Sequence, residues 1–266
     1  MKKHIRISAL FLALLSLAGS PGVAQAEPSA DKLRVVASTT YFADLARKIG
    51  GDRVDVKSVA SPRFNIHFIQ PKPSDVRNVA RADVFVFAGL DLEAWADPLL
   101  EASGNRKVFR GAENNIDMSA GIRLLGAPHR LDRSEGDVHA FGNPHYTMNP
   151  ENLRTMAATL AARLKQIDPA SASVYDANLA RFESELDVKL IQWRAAAAGL
   201  RGKEIVAYHD DIPYLAEFAG LKSDVFVEPK PGIPPTPKHV QFLQGYLADH
   251  AVSGLVSPTY YPQGTL

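Results

Sequence analysis

The order of apolar and polar positions from Leu33 onward predicts strands and helices in alternation. Short apolar or β-branched runs predict strands at Leu33–Ala37, Val54–Val59, Val84–Ala88 and Lys107–Phe109. Helical spacing predicts helices at Tyr41–Ile49, from Ser74, at Leu92–Glu101, and from Asn149 or Pro150 to Gln166. Val84–Ala88 is apolar throughout, as in a strand that is covered on both faces. The pattern therefore predicts a parallel sheet with helices on both sides.

A long helical segment follows, from Pro169 to Gly199. Its apolar residues recur at steps of three and four, so they share one face of an α-helix. They are Leu179, Phe182, Leu186, Leu190, Trp193 and Ala197. Proline suits the first turn of a helix and glycine suits its end. Roughly 30 residues at 1.5 Å each give a rod of about 45 Å, which is longer than a small domain is wide. We therefore expect this helix to join two bodies.

The alternation resumes after the long helix, with strands at Glu204–Tyr208, Asp224–Val227 and Gly254–Val256 and helices at Ile212–Ala219 and Thr236–His250. The predicted fold class is α/β: two lobes of parallel β-sheet flanked by helices, joined by one long rigid linking helix. The predicted domains are residues 27–168 (N-terminal lobe), 169–200 (linking helix) and 201–266 (C-terminal lobe). The second lobe is much the shorter, and we expect it to be incomplete.

Residues 1–26 have the features of a secretory signal peptide. Lys2, Lys3 and Arg6 precede an apolar run at 7–18, and Ala24-Gln25-Ala26 is a small-residue cleavage site. The alternative is an N-terminal membrane anchor. Because the sequence has no cysteine, we expect neither a lipid anchor nor a disulfide framework, and we predict a periplasmic location. The 30 basic and 29 acidic residues argue against a nucleic-acid partner.

Three histidines occupy positions where ligands bind in α/β proteins, just beyond the carboxyl ends of strands. His67 follows the second predicted strand, His209 follows Glu204–Tyr208, and His145 lies in a loop before a helix. Neutral imidazole is the commonest protein ligand for zinc-like ions, so these three loops predict a metal site. The alternative is that each is an ordinary hydrogen-bonded or surface histidine.

Several short motifs occur in order around the long helix: Pro71-Lys72-Pro73-Ser74-Asp75 after His67, Asn143-Pro144-His145 with Asn149-Pro150, and His209-Asp210 followed by an aromatic helix and Gly220-Leu221. Together they resemble the metal-specific solute-binding proteins of ABC importers for zinc and manganese, the cluster A-I (ZnuA/TroA-like) family. The resemblance covers the chain from Leu33 to its end. It implies two α/β lobes on a rigid helix and a metal in the cleft, which is handed to a permease.

The resemblance implies that His67, His145 and His209 are the three histidine ligands. Family members usually have Asp-Pro-His at the first two sites, where this chain has Asn65-Ile66-His67 and Asn143-Pro144-His145, so some negative charge near the metal is lost. The family's fourth ligand, often a carboxylate near the C-terminus, would fall beyond Leu266.

Glu228 and Asp210 are candidates for the fourth ligand or for an outer-shell role, with water as the preferred fourth ligand. We expect His139 to be solvated, and His129, His239 and His250 to be structural or exposed. Three nitrogens without a thiolate favour Zn²⁺, and Mn²⁺ is the less favoured metal. Since imidazole must be neutral to bind metal, we expect binding to weaken below about pH 6.5.

The sequence thus predicts a periplasmic solute-binding protein, a monomer and not an enzyme, that captures Zn²⁺ between two lobes and delivers it to an ABC permease in the inner membrane. One alternative is a shortened paralogue that acts as a periplasmic metal buffer or chaperone. A zinc hydrolase is the other, with Asp210, Asp211 or Glu228 as general base, although the sequence has no His-Glu-x-x-His motif.

Overall fold

Two parallel β-sheets organise the chain. The computed structural model describes residues 31–126, 139–230, 232–262 and 264. The first sheet has the order β2-β1-β3-β4, with β1 at Leu33–Ala37, β2 at Val54–Ser58, β3 at Val84–Phe87 and β4 at Asn115–Asp117. The second has the order β6-β5-β7, with β5 at Glu204–Ala207, β6 at Lys222–Phe226 and β7 at Val252–Val256. All neighbouring strands pair in parallel.

Seven α-helices connect and cover the sheets in the described part of the chain. They are α1 (Thr40–Gly50), α2 (Pro73–Ala80), α3 (Ala96–Ser103), α4 (Asn152–Ile167), α5 (Ala172–Ala197), α6 (Pro213–Ala219) and α7 (Pro237–Asp249). None of these helices has the length and apolar composition that crossing a membrane would require.

The first sheet is buried on both faces because its central strands are largely apolar: β3 at every position, and β1 at every position except Arg34. In β3, Val84 and Val86 point to a core formed with α1, α4 and the start of α5, while Phe85 and Phe87 point to a core formed with α2 and α3. Strand β1 divides its side chains between the same two cores, with Val35 on the first face and Val36 on the second. This is the arrangement expected when parallel strands are joined by helical crossovers.

The long helix is α-helical from Ala172 to Ala197, with a 3₁₀ turn at each end that extends it over 169–200. Its 26 α-helical residues span about 39 Å. Tyr175 enters the core of the first lobe, and Leu186 and Leu190 are also buried. Trp193, at the C-terminal end of the predicted apolar face, remains 39% exposed. Helix α5 is therefore anchored on the first lobe through its N-terminal portion.

The second sheet also has apolar side chains on both faces. Val206 packs with Val227 and with Leu243 of α7, whereas Ile205 and Ala207 pack with Ile212 at the start of α6. The predicted α/β fold class, with two parallel-sheet lobes and a long linking helix, is confirmed. The lobe boundaries at residues 168 and 200 and an incomplete C-terminal lobe stay predictions. The predicted signal peptide at residues 1–26 lies outside the described residues.

Two predicted elements of the first lobe were wrong. Residues 107–109 do not form a strand, because Arg106–Val108 is a 3₁₀ turn in which the Asn105 side chain accepts a hydrogen bond from the Lys107 amide. The strand at this edge of the sheet is β4 instead. Helix α3 begins at Ala96 rather than Leu92, and Leu90 and Asp91 ahead of it have positive φ, outside the right-handed helical region.

Candidate metal centre

His67 lies in a 3₁₀ turn, Ile66–Phe68, in the loop that follows β2. The Asn65 side chain starts this turn by accepting a hydrogen bond from the His67 amide at 3.0 Å. This is the local bond by which asparagine or aspartate initiates a turn. The indole of Trp95 donates to the Ile66 carbonyl at 2.7 Å and ties the turn to the body of the lobe. The peptide group between Ile66 and His67 is thus fixed at both its carbonyl and its amide.

His145 is held by the same device, which also reaches the second lobe. The Asn143 Oδ1 accepts from the His145 amide at 2.9 Å, and the Asn143 Nδ2 donates to the Asp210 carbonyl at 2.7 Å. The Tyr214 hydroxyl, on α6, donates to the Asn143 carbonyl at 2.9 Å. Asn143 is only 7% exposed, so its amide group joins the loop of His145 to the loop that follows β5.

His209 lies two residues beyond β5 and is buried. Its Nδ1 is 2.8 Å from Oε2 of Glu228, a buried carboxylate two residues beyond β6. The same carboxylate oxygen accepts from the Gly232 amide at 3.0 Å. A neutral imidazole that donates from Nδ1 keeps its lone pair on Nε2, which is the usual arrangement of a metal-ligating histidine with a carboxylate partner.

The three imidazoles converge although they come from distant parts of the sequence. One ligand nitrogen from each of His67, His145 and His209 lies within 4.8 Å of the others. The ring centres are 5.3 Å (67–145), 5.6 Å (67–209) and 5.4 Å (145–209) apart. With a metal–nitrogen bond of about 2.0 Å, each ring centre lies about 3.2 Å from the ion, and tetrahedral angles would place the centres about 5.2 Å apart. A small contraction would therefore bring the three rings to coordination distance.

The electrostatic environment keeps two of the three imidazoles neutral. Burial, helped by the nearby His139 and His209, lowers the pKa of His67 to about 3. Burial and the neighbouring imidazoles lower the pKa of His145 well below its ordinary value. The Nε2 of His145 is buried, and no hydrogen-bond partner for it exists within the described part of the chain. A buried lone pair or N–H without a partner is costly, and a cation would satisfy the lone pair.

His209 differs because it faces carboxylates. Burial alone would lower the pKa of His209, but its hydrogen bond to Glu228 and the charges of the nearby acids raise the pKa above its ordinary value. Burial raises the pKa of Asp211 to about 6, and it also raises the pKa of Asp210. The second lobe therefore supplies the negative charge of the centre, while the first lobe supplies two uncharged imidazoles.

The remaining predicted site residues divide into those near the imidazoles and those away from them. Glu228 contacts His209, and Asp210 lies beside it with its carbonyl bonded to Asn143. His239 bonds the Phe226 carbonyl, and His250 is exposed just after α7, where its ring bonds the Tyr246 carbonyl, so neither lies in the cluster. His129 falls outside the described residues.

The prediction that His139 is solvated was wrong. Its ring is half-buried, and the ring centre is 5.2 Å from that of His67 and 6.2 Å from that of His145. A turn closed by the hydrogen bond from the Gly142 amide to the His139 carbonyl, at 3.3 Å, brings this residue back toward the cluster. The sequence signal for this bend was Gly142, directly ahead of Asn143-Pro144-His145, and it was missed.

Two parallel-sheet lobes with a histidine cluster between them have the architecture of a substrate-binding protein for metal ions. The model of the family described as zinc-uptake complex component A, periplasmic, matches residues 35–264. The chain therefore belongs to this family of periplasmic metal-binding proteins, which are the substrate-binding components of metal ABC transporters. Substrate-binding proteins of this family are not enzymes.

Individual relatives agree with this membership. The iron-binding protein YfeA of Yersinia pestis is 30% identical over 247 residues, which cover 89% of this chain and 75% of YfeA. The manganese ABC transporter substrate-binding lipoprotein PsaA of Streptococcus pneumoniae is 28% identical, with 96% of this chain and 81% of PsaA covered. A solved structure of a zinc-bound ZnuA deletion mutant is 25% identical, with a TM-score of 0.73 and coverage of 88% of this chain and 84% of that chain.

Proposed function

We propose that this protein captures Zn²⁺ in the cleft between its lobes through His67, His145 and His209 and delivers the ion to an ABC permease in the inner membrane. The observation that carries the proposal is the approach of three ligand nitrogens, from loops after β2, before α4 and after β5, to within 4.8 Å. Three imidazoles from loops this far apart in sequence, two half-buried and one buried, supply three nitrogen donors for one ion.

The choice of zinc rests on the chemistry of the donors. Nitrogen ligands without a thiolate suit Zn²⁺, while Mn²⁺ prefers more oxygen ligands. The relatives are named for iron and for manganese, and the similar solved structure holds zinc, so family membership alone does not select the metal. Glu228, bonded to Nδ1 of His209, supports the proposal as an outer partner that orients the imidazole.

The two-lobed fold supports the proposed delivery to a permease. A cleft between two lobes releases its ion when the lobes separate, and His145 and His209 belong to different lobes. We further propose that the protein acts as a monomer in the periplasm, exported by residues 1–26. The absence of a lipid anchor stays a prediction, because PsaA is named as a lipoprotein.

The test is metal uptake by the metal-free protein. We expect one Zn²⁺ per chain in a chelator competition titration, and a large loss of affinity in each of His67→Ala, His145→Ala and His209→Ala. His250→Ala is the matched control, since this histidine is exposed and directly follows α7, away from the cluster. Equal affinity in the control and in the three site variants would refute the histidine site.

A metal buffer or chaperone is the competing function, and metal transfer separates the two. Zinc-loaded protein should stimulate ATP hydrolysis by its permease complex in proteoliposomes. A protein that binds one zinc with high affinity but neither stimulates hydrolysis nor passes its zinc to the vesicle interior would be a buffer.

A further inference from the structure

His139 is a fourth imidazole beside the cluster, and it is not one of the three histidines of the proposed metal site. It lies six residues before His145, at the edge of the described part of the first lobe. Its ring is inclined by 31° to the ring of His67 and is nearly perpendicular, at 89°, to that of His145. A fourth imidazole at this distance either coordinates the metal or only packs against the ligands, and the ring-centre separations distinguish the two.

The ring-centre separations favour participation. Two imidazoles bound to one tetrahedral ion have ring centres about 5.2 Å apart. His139 and His67 are separated by 5.2 Å, which is closer than any pair among His67, His145 and His209. The separation of 6.2 Å between His139 and His145 exceeds the tetrahedral value by about 1 Å. His139 would therefore move by about 1 Å toward His145, a larger shift than the three histidines themselves require, and a loop side chain can make it by rotating.

The carboxylate that contacts the cluster directly is already occupied. Among the described residues, Glu228 is the buried carboxylate bonded to the cluster, and its Oε2 receives hydrogen bonds from both His209 and the Gly232 amide. Moving this carboxylate onto the ion would break the bond that orients His209. An imidazole needs no such exchange.

We propose that His139 is the fourth ligand of the metal, taking the coordination position that water would otherwise fill. This inference rests on the three-histidine site proposed above. Its consequence is a donor set of four nitrogens, which disfavours Mn²⁺, an ion that takes more oxygen donors, and favours Zn²⁺. A fourth nitrogen donor from this loop would thus strengthen the preference of the site for Zn²⁺ over Mn²⁺.

The test compares His139→Ala and His139→Gln with His250→Ala in the full chain. We expect both His139 variants to bind one Zn²⁺ with affinity lowered at least about tenfold, since even outer-shell partners of metal ligands contribute that much. The visible spectrum of bound Co²⁺ should also shift, because an oxygen replaces a nitrogen at the ion. The zinc-to-manganese preference should fall in the same variants.

Zinc affinity within twofold of wild type, with an unchanged Co²⁺ spectrum, would overturn the proposal. Far-ultraviolet circular dichroism shows whether the variants fold. If His139→Ala does not fold, His139→Gln serves in its place, because glutamine preserves size and polarity. The two proposals fail in different ways. If wild type takes up no stoichiometric zinc, or if His67→Ala binds as well as wild type, the three-histidine site itself is wrong; if only the His139 variants behave as wild type, that site stands with water as its fourth ligand.

Discussion

Replacement of Asn143 by aspartate tests whether the side-chain amide of Asn143 stabilises the contact between the two lobes. Aspartate has the same shape and can still accept the hydrogen bond from the His145 amide, which is 2.9 Å in the native chain. It cannot donate to the Asp210 carbonyl, so an oxygen would face that carbonyl where the amide nitrogen now lies at 2.7 Å. The substitution therefore removes one interlobe bond while it leaves the turn intact.

The expected loss of stability follows from burial. Asn143 is 7% exposed, so the bond that is lost is a buried one. A buried polar group left without its partner costs about 1–3 kcal/mol, and the nearby acidic groups of Asp210 and Asp211 add repulsion. We expect metal-free Asn143→Asp to lose about 1–3 kcal/mol of unfolding free energy. Zinc should restore part of this loss, because the new carboxylate is attracted to a bound cation.

Urea unfolding of the metal-free protein, followed by tryptophan fluorescence, measures the effect. Asn65→Asp is the matched control, because it also keeps its turn and loses only a 3.4 Å bond from the Asn65 side chain to the Tyr261 hydroxyl. We expect the control to lose at most about 0.5 kcal/mol. An Asn143→Asp protein no less stable than this control would refute the interlobe role of the amide.

Three further substitutions test other parts of the account. Glu228→Gln should weaken zinc binding about 10- to 100-fold in a competition titration, because the anionic partner of a ligand is lost; unchanged affinity would contradict that role. Burial raises the pKa of Glu93 from 4.5 to about 7, so its ionised form destabilises the fold progressively as pH rises from about 4.5 to 7. Glu93→Gln should accordingly stabilise the protein by up to about 3 kcal/mol at pH 8 but little at pH 4, and equal effects at both pH values in urea unfolding would contradict the shift. Gly89→Ala should destabilise the protein by about 2 kcal/mol or more, because φ is +79° and the new Cβ would lie 2.3 Å from Asp117. The control is Gly104→Ala, where φ is +66° and the space is open, so that only the backbone strain is added. Equal thermal shifts in the two glycine variants would show that no clash occurs at Gly89.

The elements that could be predicted from the sequence are those with a strong local pattern. Strand β3 is apolar at every position, and the periodic stretch after Pro169 forms the long helix, so neither depends on distant contacts for its recognition. Strand β4 was missed because it is three residues long and has Ile116 as its single apolar side chain. Its place in the sheet is set by pairing with β3, which no local pattern reveals.

The candidate site shows the same division. Placing His67 and His209 in loops after strands, and His145 in a loop before a helix, required only the topology of a parallel sheet. The contact between His209 and Glu228 required the register of β5 with β6, in which Ala207 lies opposite Phe226, so that the residues two positions beyond each strand lie side by side. That register is a tertiary property. The approach of His139 depends in turn on the bend at Gly142, and spacing alone did not predict it.

The most direct test of the central claim is a crystal structure of the zinc-loaded protein with an anomalous difference map at the zinc edge. The account predicts one strong peak between the lobes, about 2.0–2.1 Å from a ring nitrogen of each of His67, His145 and His209. A peak elsewhere on the chain, or three imidazoles that remain apart while zinc is bound stoichiometrically, would contradict it.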